Sequence, residues 1–312
     1  MSLGADEAAA LAALKGELAL TPDDAAGRAW LVGGAGDWTY VRFLRGHKLQ
    51  VAKVAKLLRA CAAWRQEYGA DAILQSWPQE HSKEAELCRR FWPLGLTGRS
   101  QGLSGRPVHF FHLSQCDFPA LIKHVSLDVL VRYNVYLLEK ALQFEPQGGA
   151  VMLVDLGGAE DGSAALSLRT VTQWFSSLVL FMKAMALVAD HHYPETYSAV
   201  YFCRLNKVLE AAFNSAKSTV PEATLAKIVL LSKADIPGKL LEAGLTLESI
   251  PPSLQGTSSR QVAPGGMITD QAVAAAQAEA ARSRLEAEAA AKAGPARKSL
   301  SKRLSQALLG KP

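Results

Sequence analysis

The sequence predicts an α/β protein: an N-terminal all-helical lobe followed by a mixed, mostly parallel sheet covered by helices. Two observations carry this. Over the first ninety residues apolar side chains recur at helical spacing, as at Leu11, Leu14 and Leu18. Beyond Gly105 come short apolar runs at Val108–Phe111, Val151–Val154, Ala199–Phe202 and Ile228–Leu231, separated by long helical stretches. Strands joined through helical crossovers run parallel. A chain of 312 residues can bury a substantial core.

Taken in order, Thr21-Pro22-Asp23-Asp24 is a helix-start signal, with a capping hydroxyl, proline at the first helical position and acids near the positive end of the dipole. Asp37 is expected to cap a short helix through Arg45, which Gly46 ends. From Val51 to Tyr68 a core-facing stripe runs through Val54, Leu58, Cys61 and Arg65, while Lys53, Lys56 and Arg59 form a separate basic row that reads as a solvated face. Gly105-Arg106-Pro107 turns the chain into the first strand. Helices are expected at Ser126–Phe144, Ser163–Asp190, Asn206–Ser218 and Ile236–Ala243, and Pro251-Pro252 closes the body. Gln271–Ala293 is alanine-rich, with high helix propensity and almost nothing to bury, so a lone or fraying helix is expected there. After Gly294-Pro295, Leu300, Leu304 and Leu308 lie four apart beside Arg297, Lys298, Lys302 and Arg303. That short basic element suits an anionic membrane surface or a partner's groove, or else is a solvated tail. The divisions are a helical lobe over 1–92, an α/β domain over 93–259 and a tail over 260–312.

Charge is unevenly placed. Nine of the 34 basic and four of the 29 acidic residues lie from Arg260 onward, which leaves the body neutral with 25 of each and puts the net +5 in the tail. A tail-borne positive charge points to a membrane or an acidic protein surface as partner, and not to nucleic acid bound by the body. Met1 to Leu20 lacks the basic start and unbroken apolar core of a secretory signal. The longest apolar tract, Val171 to Val188, is interrupted by Gln173, Ser176, Ser177 and Lys183. It reads as a buried helix, since a spanning helix needs roughly 20 predominantly apolar residues. Cys61, Cys88, Cys116 and Cys203 are scattered without a CxxC pair, which argues for reduced thiols in a cytoplasmic protein and against a disulfide framework or zinc site.

Common catalytic signatures are missing. Gly102-Leu103-Ser104-Gly105 has the wrong spacing for a nucleophile elbow, and no P-loop or dinucleotide fingerprint occurs. Gly157-Gly158 lacks a P-loop lysine and reads as a strand-exit turn. Adjacent histidines in Asp190-His191-His192 point about 100° apart on a helix and would not chelate together. Glu160-Asp161 has no evident companion, so neither an enzyme nor a bound cofactor or metal is expected.

Several short motifs occur in one order: Arg42-Phe43-Leu44-Arg45, the Trp64 to Gln75 run, Gly105-Arg106-Pro107-Val108, Asp155-Leu156, Tyr193-Pro194-Glu195 and Thr224-Leu225-Ala226-Lys227-Ile228. This order resembles the CRAL-TRIO lipid-binding family over roughly Asp37 to Ser259, and most closely its secretory-pathway phosphatidylinositol/phosphatidylcholine transfer branch. The resemblance implies a deep apolar pocket in the α/β lobe that encloses one lipid, exchanged transiently at membranes. It implies a headgroup site of Lys48, Glu195, Thr224 and Lys227, with His47 standing where arginine is usual. It further implies a gate helix over Asn206–Ser218 carrying Leu209 and Phe213, and a pocket-lining helix with Trp174, Leu178, Phe181 and Met185. The chemistry suits phosphatidylinositol or a phosphorylated relative: ammonium groups offer compact positive charge to a phosphate, and Thr224 a hydroxyl. At positions where the choline-lipid branch presents polar groups, this sequence has Thr196, Ala150 and Met152, and His109 replaces a tyrosine. Those departures fit a more apolar second ligand, a sterol or isoprenoid.

Overall fold

The structure, a computed structural model, describes residues 3–19, 37–100, 105–157, 168–205, 207–217, 222–260, 262 and 265–292. The expected helix start at Thr21, the Glu160-Asp161 pair and the basic element around Leu304 lie outside these residues.

The N-terminal lobe is built on three helices. α1 (Ala5–Ala19) buries Leu11, Leu14 and Leu18 against α2 (Trp38–Gly46) and α3 (Val51–Tyr68). Burying a leucine fully is worth about 1.5–3 kcal/mol, so this single face anchors α1. Asp37 precedes α2 as expected, but its backbone is already helical and its side chain makes no capping bond. A capping side chain needs an extended backbone; the Asp37 carboxylate instead pairs with Lys15 Nζ at 2.7 Å. Gly46 is the last residue of α2 and is closely packed: a Cβ there would stand 3.0 Å from Pro194 Cβ. The left-handed conformations fall on Lys48 (φ 53°) and Leu49 (φ 59°). Two further helices, α4 (Ile73–Ser76) and α5 (Lys83–Phe91), lead to the sheet, and Ser82 caps α5 by accepting from Ala85 N–H at 3.1 Å.

The sheet has five strands in sequential order: β1 (Leu94–Arg99), β2 (Pro107–Phe111), β3 (Ala150–Asp155), β4 (Tyr197–Cys203) and β5 (Ile228–Leu230). β1 is antiparallel to β2, and β2 to β5 run parallel. The expected sheet begins at Val108, whereas the structure adds β1 ahead of it. Two glycines in Leu94-Gly95-Leu96-Thr97-Gly98-Arg99 mask its strand character; one of them, Gly98, lies against Ser249, 3.2 Å from where its Cβ would be. Between strands run α6 (Phe118–His124), α7 (Leu127–Phe144), α8 (Leu168–His192), α9 (Lys207–Ala216) and α10 (Glu222–Leu225), and after β5 comes α11 (Gly238–Glu242). α11 is shorter than the expected Ile236–Ala243 because Ile236 is extended and Pro237 takes the N-cap.

Register assigns each face a role. Leu94, Phe111, Val154, Phe202 and Leu230 are register partners in one row, and Leu96, His109, Met152, Val200 and Ile228 in the next. Partners in register point to the same face, so both rows face α7 and α8. On the other face Val108, Phe110, Val151 and Leu153 pack under Ile236, Leu240 and Ile250. At the end of β3 the fully buried Asp155 stitches the sheet to its surroundings, accepting from Arg204 Nε at 2.7 Å, Ser253 Oγ at 2.8 Å and Gly157 N–H at 3.0 Å.

The alanine-rich segment forms α12 (Asp270–Lys292), but the expectation that it has nothing to bury is wrong for its first half. Ala276 and Ala280 are buried against α5, and Ile268 N–H donates to Asp117 at 3.3 Å just ahead of it. Alanine lets two helix backbones approach closely, so burial here needs no large apolar stripe.

Candidate functional site

Between the sheet, α7 and α8 lies a cavity of about 280 Å³. Its walls are mostly apolar: Phe111, Met152, Val154 and Phe202 from the sheet, and Leu178, Phe181 and Met185 from α8. Leu178, Phe181, Met182 and Met185 recur at three- and four-residue spacing, so one helix face lines the space. The side chains of Trp174 and Leu209 lie outside the described atoms.

Polar residues gather at one end. Glu195 and Thr196 precede β4, Thr224 and Lys227 precede β5, and His47 follows α2; all five line the cavity. This is the amino-terminal end of the parallel strands. Lys227 Nζ pairs with Glu195 Oε1 at 2.7 Å, with both side chains about 29% and 28% exposed. The turn from Thr224 closes by Lys227 N–H donating to Thr224 C=O at 3.1 Å, and Lys227 C=O accepts from Val200 N–H at 2.8 Å, which sets the lysine at the rim of the sheet. Lys48 is exposed on its left-handed turn and does not join the lining. The family resemblance implies its grouping with Glu195, Thr224 and Lys227.

The Glu195 turn is held from several directions. Glu195 has φ 56°, and its carbonyl accepts from Gly149 N–H at 2.8 Å. Thr196 Oγ1 donates to Tyr193 C=O at 2.8 Å, and the buried Arg42 donates to Pro194 C=O at 3.3 Å. Burial pulls the Arg42 guanidinium down to about 10. Tyr193 OH donates to Glu139 Oε1 at 2.6 Å, and Arg65 Nη1 donates to the same oxygen at 2.5 Å, while Arg65 Nε reaches Asp71 Oδ1 at 2.7 Å. The network joins α3 of the helical lobe to α7 and to the turn. Glu139 was not singled out from sequence, although a charged Arg65 on an apolar stripe was a signal that a buried partner existed. His192 stacks on Trp64 with ring centroids 3.9 Å apart, and its ring is held near a pKa of 4 by burial first and by His191 and Arg65 next.

The electrostatics of this end follow from the fold. α2 ends at Gly46 and α8 at His192, so two helix C-termini, the negative ends of their dipoles, point here. Backbone alone would repel an anion, and a cationic side chain such as Lys227 is what makes the end receptive to one. A second polar pair lies nearby: His109 Nδ1 and Tyr197 OH are 3.0 Å apart. Burial pushes His109 down to about 4, so the pair is uncharged at neutral pH. At the opposite, carboxyl end of the strands, the Phe213 ring of α9 lies 6.2 Å from Phe202 of the cavity wall. Among the described residues no group of His, Cys, Asp or Glu is arranged to hold a metal, and no helix is long and apolar enough to cross a membrane.

The CRAL/TRIO domain model matches residues 94–256. The chain is 25% identical over 234 residues to the SEC14 cytosolic factor of Candida glabrata, covering 74% of each protein. It is 26% identical over 243 residues to Protein real-time of Aedes aegypti, covering 74% of this chain and 35% of that protein. Similarity to the phosphatidylinositol/phosphatidylcholine transfer protein SFH13 of Arabidopsis thaliana is 26% over 204 residues, covering 62% and 30%. The chain therefore spans about a third of the insect and plant relatives. The crystal structure of Sfh5 matches with a TM-score of 0.53 at 17% identity over 76% of each chain, a likeness of fold.

Proposed function

The chain belongs to the CRAL/TRIO domain family, and on that premise we propose that it is a cytoplasmic carrier, not an enzyme, that encloses one phosphatidylinositol or phosphoinositide and exchanges it at membranes. The observation that carries the reading is the Lys227–Glu195 pair, with Thr224 beside it, at the polar end of an otherwise apolar cavity. In this reading the phosphodiester sits on Lys227, Thr224 offers a hydroxyl, and Glu195 aims the lysine and accepts from an inositol hydroxyl. His47 closes the same end, and the exposed Lys48 meets phosphate at the rim. Acyl chains run along Leu178, Phe181 and Met185 toward Phe202, and each buried CH₂ contributes about 0.8 kcal/mol. Phe213 on α9, beside Phe202 of the cavity wall, belongs to the gate. The names of the fungal and plant relatives support both the ligand class and a cytosolic location.

A second ligand of another kind is favoured by the His109–Tyr197 pair. An uncharged donor–acceptor set beside Met152 suits a sterol or isoprenoid hydroxyl better than a phosphocholine. The basic tail adds membrane attraction or recruits a protein partner; deleting Gly294 to Pro312 should spare transfer from one vesicle to another and weaken recruitment. The headgroup assignment is tested by phosphatidylinositol transfer between vesicles. Lys227→Ala is expected to lower it at least about tenfold, the loss of one hydrogen bond to a charged group. Equal transfer by both proteins would sink the assignment.

A further inference from the structure

At the polar end of the cavity, Nε2 of His47 is buried and has no hydrogen-bond partner. His47 N–H donates back to Phe43 and Leu44 carbonyls at 3.1 and 3.3 Å, and the left-handed Lys48 and Leu49 follow, so the turn fixes the point from which the ring enters the cavity.

The charged groups facing it come from every element packed around it. Lys53 stands on α3, Asp190 and His191 on α8, and Glu195 on the turn before β4, with Lys227 in its ion pair beyond. On α2 itself, Arg45 is engaged by Glu7 at 2.7 Å. Burial, and then Lys53, hold the imidazole below its usual value, while Asp190 and Glu195 pull the other way. Burial and Lys53 therefore favour the uncharged ring at neutral pH. His47 and Lys227 line the same polar end, so an anion held there adds negative charge to the surroundings of the orphaned nitrogen and favours the charged ring.

We propose that His47 is a proton-controlled contact for the anionic headgroup, taking up a proton as the phosphate binds, so that the cavity grips anionic lipids more tightly as pH falls. The coupling is reciprocal: if anion binding favours protonation of the ring, acid favours binding of the anion. The α2 C-terminus adds to the effect by stabilising a cation at this position. The inference rests on the headgroup reading of Lys227, Glu195 and Thr224.

The test is the affinity of the full chain for dioctanoyl phosphatidylinositol, measured by calorimetry between pH 7.5 and 5.5 with circular dichroism at each pH to confirm the fold. Wild type is expected to tighten roughly fivefold toward pH 5.5, the change for a ring whose pKa rises by one unit on binding. His47→Gln is expected to show no such slope, and His47→Arg to be flat and at least as tight as wild type at pH 5.5. A flat wild type, or a His47→Gln slope equal to that of wild type, overturns the role of His47. If Lys227→Ala still loses binding at every pH, the headgroup reading survives that result; undiminished binding by Lys227→Ala overturns the headgroup reading itself.

Discussion

Replacing Glu139 by alanine probes the joint between the helical lobe and the polar end of the cavity. The carboxylate accepts from Arg65 Nη1 at 2.5 Å and from Tyr193 OH at 2.6 Å. Arg65 is 8% exposed and Tyr193 2% exposed, so neither can turn to water for replacement bonds. Removing one partner of a buried ion pair costs about 3–5 kcal/mol, and an unsatisfied buried hydroxyl about 1–3 kcal/mol. Asp71, half-open to solvent, still accepts from Arg65 and absorbs part of this. The expected loss is about 3–5 kcal/mol in equilibrium urea unfolding, followed by tryptophan fluorescence because Trp64 lies at the joint. Tyr193→Phe should cost less, about 1–2 kcal/mol, and the double variant less than the sum by about 1 kcal/mol, since both remove the same bond. A Glu139→Ala loss under about 1 kcal/mol, or strict additivity with Tyr193→Phe, would refute the claim that this network ties the lobes together.

Three more outcomes follow from local geometry. Gly148 has φ +70°, and a Cβ on it would fall 2.4 Å from Glu195 O and 2.8 Å from Arg42 Cδ; Gly148→Ala should cost about 3 kcal/mol or more in thermal unfolding and weaken lipid binding with it. Ala276→Leu should destabilise by about 1–3 kcal/mol through overpacking against α5, whereas an undocked helix would tolerate it without change in melting temperature. His109 is held near 4 when folded, below its unfolded value of about 6.5, so the stabilisation is complete above pH 6.5 and fades as pH falls toward 4. Acid titration should therefore cost wild type about 3 kcal/mol more than His109→Phe over that window, and parallel acid curves would contradict it.

Which parts of this molecule could be read from its sequence depended on how each buries itself. The strands at Val108, Val151 and Ala199 stood out because central parallel strands are apolar runs bounded by turns and helices, and the edge strand at Ile228 is an apolar run of the same kind. β1 did not, because an edge strand containing Gly95 and Gly98 carries little β signal. Docking of α12 was invisible because alanines make no hydrophobic stripe, yet Ala276 and Ala280 bury by close approach. Of the headgroup candidates, Lys227, Thr224, Glu195 and His47 do converge, although the first and last are far apart in sequence. Only the order of family motifs, and no local spacing, linked them. Lys48 separates from the set because backbone conformation at φ 53°, which the sequence around it does not announce, sets its direction. Glu139 looked like any acid on a helix, and its role depends on a meeting with Arg65 that only the folded chain makes.

Native mass spectrometry reads out whether the cavity encloses one phosphatidylinositol held by Lys227. The full chain is incubated with vesicles of phosphatidylcholine containing phosphatidylinositol and then re-isolated. Wild type is expected to carry a single bound phosphatidylinositol per chain, enriched over its share in the vesicles, and Lys227→Ala to lose that enrichment. A bare chain, or equal enrichment in both proteins, would contradict it.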